Sequence, residues 1–149
     1  MNARLDKNEA EKTISRINTL TSQTEHKWGK MKAAQMLAHC RIGLETAMGA
    51  GENKQHLMGK LVGWMAKKMI FTDKPWKPNM PTDKNFIVTG ERNFEEEKQK
   101  LVSKVREFAA LGPERFQNCV HPFFGKLKPD EWNILQHKHL DHHLRQFGV

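Results

Sequence analysis

Cysteine is nearly absent from the sequence: Cys40 and Cys119 are the two in 149 residues, and neither belongs to a CxxC pair. That excludes a disulfide framework and fits a reducing compartment. Long apolar runs are missing too. The longest clusters, Leu61-Val62 and Trp64-Met65-Ala66, fall far short of the ~18 residues a membrane span needs. Residues 1–12 alternate charge with small apolar groups and hold no apolar stretch of the kind a secretory signal carries. A cytoplasmic location is therefore the expectation. Zinc-finger spacing, an aromatic RNP-type strand and a Gly-rich clamp are absent as well, which argues against a nucleic-acid module.

What is present suits one folded domain spanning 1–149. Hydrophobic residues make up 38% of the chain, with four Trp and eight Phe, and the mean hydropathy of -0.74 describes a heavily solvated remainder. The net charge of +8, from 25 Lys+Arg against 17 Asp+Glu, is too small to force disorder beside that aromatic content. It reads as solubility more readily than as a polyanion site.

The periodicity predicts an all-α protein, a four-helix bundle with an additional short helix and a Pro-rich connection between the second and third main helices. Ala10, Ile14, Ile17 and Leu20 recur at three- and four-residue steps, which predicts a first helix over 6–22. Met36, Leu37, Cys40, Leu44 and Ala47 mark a second over 30–50, closed by Gly49 and Gly51. A shorter amphipathic stretch, 55–71, carries Leu57, Leu61, Trp64 and Met65 against Lys60, Lys67 and Lys68. It reads as a fifth helix packed on the bundle, with a substrate lid, a dimer surface or a basic helix on anionic lipid as functional alternatives. Pro75, Pro78 and Pro81 force 72–85 to run extended. Asn93 is placed to cap a third main helix whose first turn holds Glu95, Glu96 and Glu97. Residues 115–128 read as a connection, and Pro129 opens the last helix.

Four of eight histidines crowd that last helix. At about 100° per residue, His139 and His143 fall within about 40° of each other on the face shared with Trp132, Leu135, Gln136, Leu140, Gln146 and Phe147. His137 and Asp141 project to the other side and His142 lies near the boundary. Two imidazoles one turn apart on a buried face need partners. A metal supplies one, because i, i+4 spacing lets both rings reach a single cation; Gln136, Gln146 or the backbone supplies another. His39, at the edge of the second helix's apolar stripe, reads alone as a core-boundary histidine bonded to a carbonyl. Beside the His139/His143 pair it becomes the third ligand. Cys40 reads as core packing that would reach a ligand position only if the helix rotated.

Several segments are similar to a known family. Trp28-Gly29-Lys30-Met31 leading into Gln35-Met36-Leu37-Ala38-His39-Cys40, then Pro78-Asn79-Met80-Pro81-Thr82-Asp83, Pro122-Phe123-Phe124-Gly125-Lys126-Leu127 and His139-Leu140-Asp141-His142-His143-Leu144-Arg145-Gln146, resemble an uncharacterised bacterial family within the DinB/YfiT-like superfamily. The resemblance implies an up-down-down-up four-helix bundle and a divalent metal, usually zinc or nickel, held by His39, His139 and His143. Many relatives carry Arg-Gly-Gln after the second His of the pair. Here Leu144-Arg145-Gln146 follows, so Gln146 is kept while the Arg is shifted and the Gly missing.

Three neutral imidazoles leave a divalent ion its full charge and an open position, which acidifies a bound thiol or water. Superfamily relatives include thiol-dependent S-transferases and an isomerase that uses glutathione or mycothiol, so the resemblance implies transferase-like chemistry with a low-molecular-weight thiol. A metal-dependent hydrolase is the runner-up, weakened because Glu45 and Asp141 point away from the ligand faces. A non-catalytic, metal-stabilised binding or stress-related protein is the alternative from another class. Gln146 is placed one turn beyond His143 as a supporting or substrate-bonding group. Trp64 and Trp76, beside lysines, suit either an anionic thiol cofactor or surface packing. The partners expected are a small-molecule substrate or thiol; nucleic acid and membrane are set aside, and a homodimer stays open.

Overall fold

The computed structural model describes residues 3–149, and the described chain is mostly helical. The helices are α1 (Lys7–Thr19), α2 (Ala33–Ala47), α3 (Leu57–Ile70), α4 (Phe94–Ala110) and α5 (Pro129–Gln146). α2 packs against α4 and α5, and α1 packs against the same two. Between them lies one core built from Leu5, Ile14, Ile17, Met36, Leu37, Leu44, Leu101, Val105, Phe108, Trp132, Leu140 and Leu144. Inside that frame Glu97 of α4 is buried and accepts from Arg41 Nε of α2 at 2.9 Å, while Arg41 also reaches Glu45 at 2.8 Å.

Local chemistry explains where the helices begin. Asp6 Oδ1 accepts from Glu9 N at 2.9 Å and Asn93 Oδ1 from Glu96 N at 3.0 Å, so both side chains cap their helices as their types favour. The observed helices are shorter than the periodicity predicts. α1 stops at Thr19 rather than Ser22, because Thr24 Oγ1 accepts from Thr21 N and closes a turn that competes with another helical turn. α2 starts at Ala33 rather than Lys30, with Gln35 reaching back so that its Oε1 accepts from Lys32 N at 2.9 Å.

Two connections hold more structure than expected. The 115–128 stretch contains part of a 3-10 turn (Pro113–Phe116) and a small antiparallel hairpin, β1 (Val120–His121) with β2 (Gly125–Lys126), in the register His121 opposite Gly125. The end of the Pro-rich connection likewise folds into a 3-10 turn (Lys84–Phe86). The Pro-rich segment runs as a strap over the surface of α5, where Lys138 Nζ donates to Thr72 O and Lys74 O and Arg145 donates to Trp76 O.

α3 packs on the rest, as expected, but not by its apolar stripe. The side it buries carries Gly59, Gly63 and Ile70. A Cβ on Gly59 would overlap the Phe123 backbone, and one on Gly63 would crowd the Phe123 carbonyl oxygen, so only glycine permits this approach. Gln55 Nε2 also donates to Phe123 O and His56 N to Pro122 O, which holds the start of α3 to the hairpin turn. Replacing Gly63 by Val is therefore expected to lever α3 off that turn. An overpacking cost of about 1–3 kcal/mol corresponds to about 5- to 160-fold in opening. Amide exchange across 57–70 should accelerate by that factor while α1, α2, α4 and α5 keep their protection; unchanged exchange would show that the glycine contacts do not hold the helix.

Candidate metal centre

α2 and α5 face each other across Gly43, and the absence of a side chain there lets the His139 ring lie against α2. A Cβ at Gly43 would stand 3.0 Å from His139 Cε1 and 3.1 Å from Nδ1. His39 comes from α2, and His143 lies one turn beyond His139. One ring nitrogen from each of His39, His139 and His143 falls within 4.8 Å of the others, the one such cluster of metal-ligating types among the described residues. The rings meet edge to face, with centroids 4.5–4.8 Å apart. His39 and His143 are buried, and His139 is partly exposed.

The hydrogen bonds assign the tautomers. His39 Nδ1–H donates to Phe86 O at 2.7 Å, so its Nε2 carries a free lone pair. Gln146 Nε2 donates to Trp28 O at 2.7 Å, which turns its Oε1 toward His143, whose Nδ1–H donates to it at 2.8 Å. His143 Nε2 is therefore bare as well. Since His39 Nε2 lies 2.8 Å from His139 Nε2 and has no hydrogen, His139 is the donor of that bond. Burial lowers the pKa of all three: His39 is lowered, His139 well below its ordinary value with its histidine neighbours adding to the effect, and His143 to about 3. At neutral pH they are neutral ligands.

The surrounding residues fit a divalent cation. Two rings already have the outer hydrogen-bond partner that a metal-bound imidazole requires, Phe86 O and Gln146 Oε1. The third has an acceptor near at hand. Gln136 Oε1 is buried without a partner and faces the same spot at Gly43 as His139 Nδ1. Moving the His139 hydrogen from Nε2 to Nδ1 frees the third lone pair and places a donor near that orphaned oxygen.

Other expected residues fall as follows. His137 turns away from the cluster toward α1, where it lies 3.5 Å from Glu9 with its side chain 19% exposed. Asp141 is held by Arg16 and Arg145, and Glu45 by Arg41, so neither carboxylate joins the cluster. Cys40 is core, with Sγ 3.7 Å from Met36 Sδ, and burial pushes its thiol pKa up. Trp76 lies beside the site, its ring 6.3 Å from His139 and 5.8 Å from His142. Trp64 stands exposed on α3 beside Lys68.

Sequence reasoning missed three neighbours. His142 is buried, not at a boundary, between Trp28 and Trp76 at 5.8 Å from each. Phe86 supplies the carbonyl that orients His39. His121 accepts at Nδ1 from Phe123 N and Phe124 N at 3.0 and 3.1 Å, which fixes its hydrogen on Nε2, and burial lowers its pKa to about 4. The one sequence signal for it was the His-Pro-Phe-Phe-Gly turn in which it sits.

A family model described as a protein of unknown function, DUF1569, matches residues 1–148. No curated protein and no solved structure matches the chain.

The purified protein is expected to take up one divalent ion per chain, measured by elemental analysis and titration calorimetry. His39→Ala, His139→Ala and His143→Ala should each abolish uptake, while His137→Ala should retain it; equal loss in all four would reject the assignment. Gly43→Ala, by crowding the His139 ring, is expected to weaken the ion's affinity by about 10–100-fold, the range for disturbing a ligand's support. Its circular dichroism should stay unchanged.

Proposed function

The chain belongs to the family of proteins of unknown function DUF1569, and from the site together with the sequence's resemblance to the DinB/YfiT-like superfamily we propose a metal-dependent enzyme with thiol-dependent S-transferase-like chemistry on a DinB/YfiT-like four-helix bundle. His39, His139 and His143 would hold the ion, zinc or nickel. The observation that carries this reading is the convergence of three neutral imidazoles with no carboxylate among them. A divalent ion with three uncharged ligands keeps its full positive charge and holds a low-molecular-weight thiol as thiolate near neutral pH.

The chain's own residues orient and enclose. Phe86 O and Gln146 Oε1 fix the His39 and His143 rings, and Trp28 O fixes Gln146 in turn. Trp76, on the strap, stands beside His139 and His142 with ring centroids 6.3 and 5.8 Å away, an aromatic wall on that side of the cluster. Glu45 and Asp141 are engaged by arginines, which leaves neither to take a proton from water. That favours a thiol, which needs no such base, over hydrolysis. The net charge of +8 attracts an anionic thiol to the protein.

Cobalt-loaded protein titrated with glutathione, bacillithiol or mycothiol is expected to develop sulfur-to-cobalt charge-transfer absorption, and His143→Ala should not. Absence of the band with all three thiols, together with metal-dependent cleavage of an ester or amide panel, would assign the site to a hydrolase.

A further inference from the structure

α3 presents an apolar surface that the fold does not cover. Leu57, Leu61 and Trp64 form one row along the helix, and Met58, Met65 and Met69 the next, at the three- and four-residue steps of a single face. All six are between 50% and 74% exposed. This face cannot be turned inward. The opposite side is fixed by Gly59 and Gly63 against the Phe123 backbone, by Lys67 to Glu131 at 3.2 Å, and by Trp76 Nε1 donating to Ile70 O at 3.0 Å. A lid that closes by rotating α3 would have to give up each of those contacts, so the helix is held with its apolar rows outward.

Charge identifies what lies against it. α3 contains Lys60, Lys67 and Lys68 and no acidic residue. In the flanking sequence lie Lys54, Lys74, Lys77 and Lys84, so residues 52–87 hold seven lysines against Glu52, Asp73 and Asp83. Lys54 pairs with Glu52 and Lys67 with Glu131, which leaves Lys60 and Lys68 as the helix's cations without an ion-pair partner among the described residues. A second copy of the chain would bring lysine against lysine across an interface with no carboxylate on the helix to answer them, between subunits that each carry +8. An anionic surface is the complement. The apolar rows form a convex face of flexible Leu and Met side chains with one Trp. Such a face lacks the groove and fixed polar groups that would select a shaped protein partner, and it suits a fluid bilayer interface. Lys68 Nζ lies 5.1 Å from the Trp64 ring, which places an amine and an indole together, the pair of groups that anchors helices at the headgroup level.

We propose that α3 is a peripheral membrane anchor whose outward face docks on anionic phospholipid. The sequence favours packing on the bundle for 55–71 and keeps a basic helix on anionic lipid only as an alternative, while a membrane span is set aside because no apolar run is long enough; among the described residues no helix is long and apolar enough to cross. Lying on the surface requires neither. At about 1.5 Å per residue, the 14 residues of α3 lay about 21 Å of helix in the interface plane. The inference is independent of the metal: it uses none of the histidines.

The experiment is flotation of the full chain with vesicles of phosphatidylcholine alone and of phosphatidylcholine containing one third phosphatidylglycerol. The protein is expected to float with the anionic vesicles at low salt, to be released at high salt, and to stay behind with the neutral ones. Leu61→Glu combined with Met65→Glu, both at solvent-exposed positions, should reduce binding at least tenfold, while thermal stability and metal content remain those of the parent. Lys60→Glu and Lys68→Glu should each reduce it by about fivefold or more, the factor expected for one basic side chain near the surface. Quenching of Trp fluorescence by spin-labelled lipid should be lost in Trp64→Phe. Failure to float with anionic vesicles, equal binding to neutral ones, or equal binding by the double Glu variant would overturn the proposal. So would a concentration-dependent dimer that Leu61→Glu converts to monomer, since that would give the face to a second copy.

Discussion

Burying three imidazole rings edge to face aims two nitrogen lone pairs and one N–H at a single region, and that arrangement dictates what the neighbouring residues must do. An unmet polar atom in such a place costs about 1–3 kcal/mol, so each ring needs a partner on its far side. His39 and His143 have theirs in Phe86 O and Gln146 Oε1. The second of these depends on a further bond, because Gln146 faces His143 with its oxygen only while Trp28 O accepts from its nitrogen. Gly29, at φ +84°, leaves room for Gln146 Nε2 where a side chain would collide with it. The loop between α1 and α2 is therefore part of the site, although none of its side chains touches the cluster's centre.

His139 is the exception, and its position explains why. It donates to His39 across the cluster, while its other nitrogen faces Gly43 near an unpartnered amide oxygen of Gln136. Both are on α5, so the geometry of one helix presents the unmet acceptor to the unmet nitrogen. With its hydrogen on Nδ1, His139 would have the Gln136 oxygen nearby as an acceptor and its Nε2 lone pair would join those of His39 and His143, three like lone pairs that a cation held by these rings would neutralise together.

The sequence made part of this legible. His139 and His143 were found because a helix has one period and the pair obeys it, and their face was correctly joined to Gln136, Gln146 and Trp132, all buried in the structure. The same reasoning put His137 off that face, though it lies against Glu9 of α1 rather than in solvent. What escaped were contacts that come from turns. His121 owes its tautomer to two backbone N–H groups of a hairpin, and Phe86 contributes a carbonyl rather than a side chain, so no residue-type pattern encodes either. For α3 the period was right and the direction wrong. Two glycines four residues apart let backbone approach backbone, and that close packing outranked the larger apolar stripe in choosing the buried side.

Access to the histidines follows from how unequally their surroundings are held. On one side stand α2 and α5, packed through Gly43 and continuous with the core, where opening would expose Met36, Leu37 and Leu140. On the other lies the strap bearing Trp76. It is tied to α5 by Lys138 and Arg145 donating to its backbone carbonyls, and Trp76 and Met80 lean partly buried against the core. Its prolines also limit the conformations it gains when released, but they do not anchor it. Lifting such a segment gives up a few partly solvated hydrogen bonds and the partial burial of Trp76 and Met80, a smaller change than parting two helices across the fully buried core. The partly exposed ring is His139, the one that lies beside Trp76. The strap side is therefore the side on which the cluster is least enclosed, with Trp76 the side chain that stands beside the exposed ring.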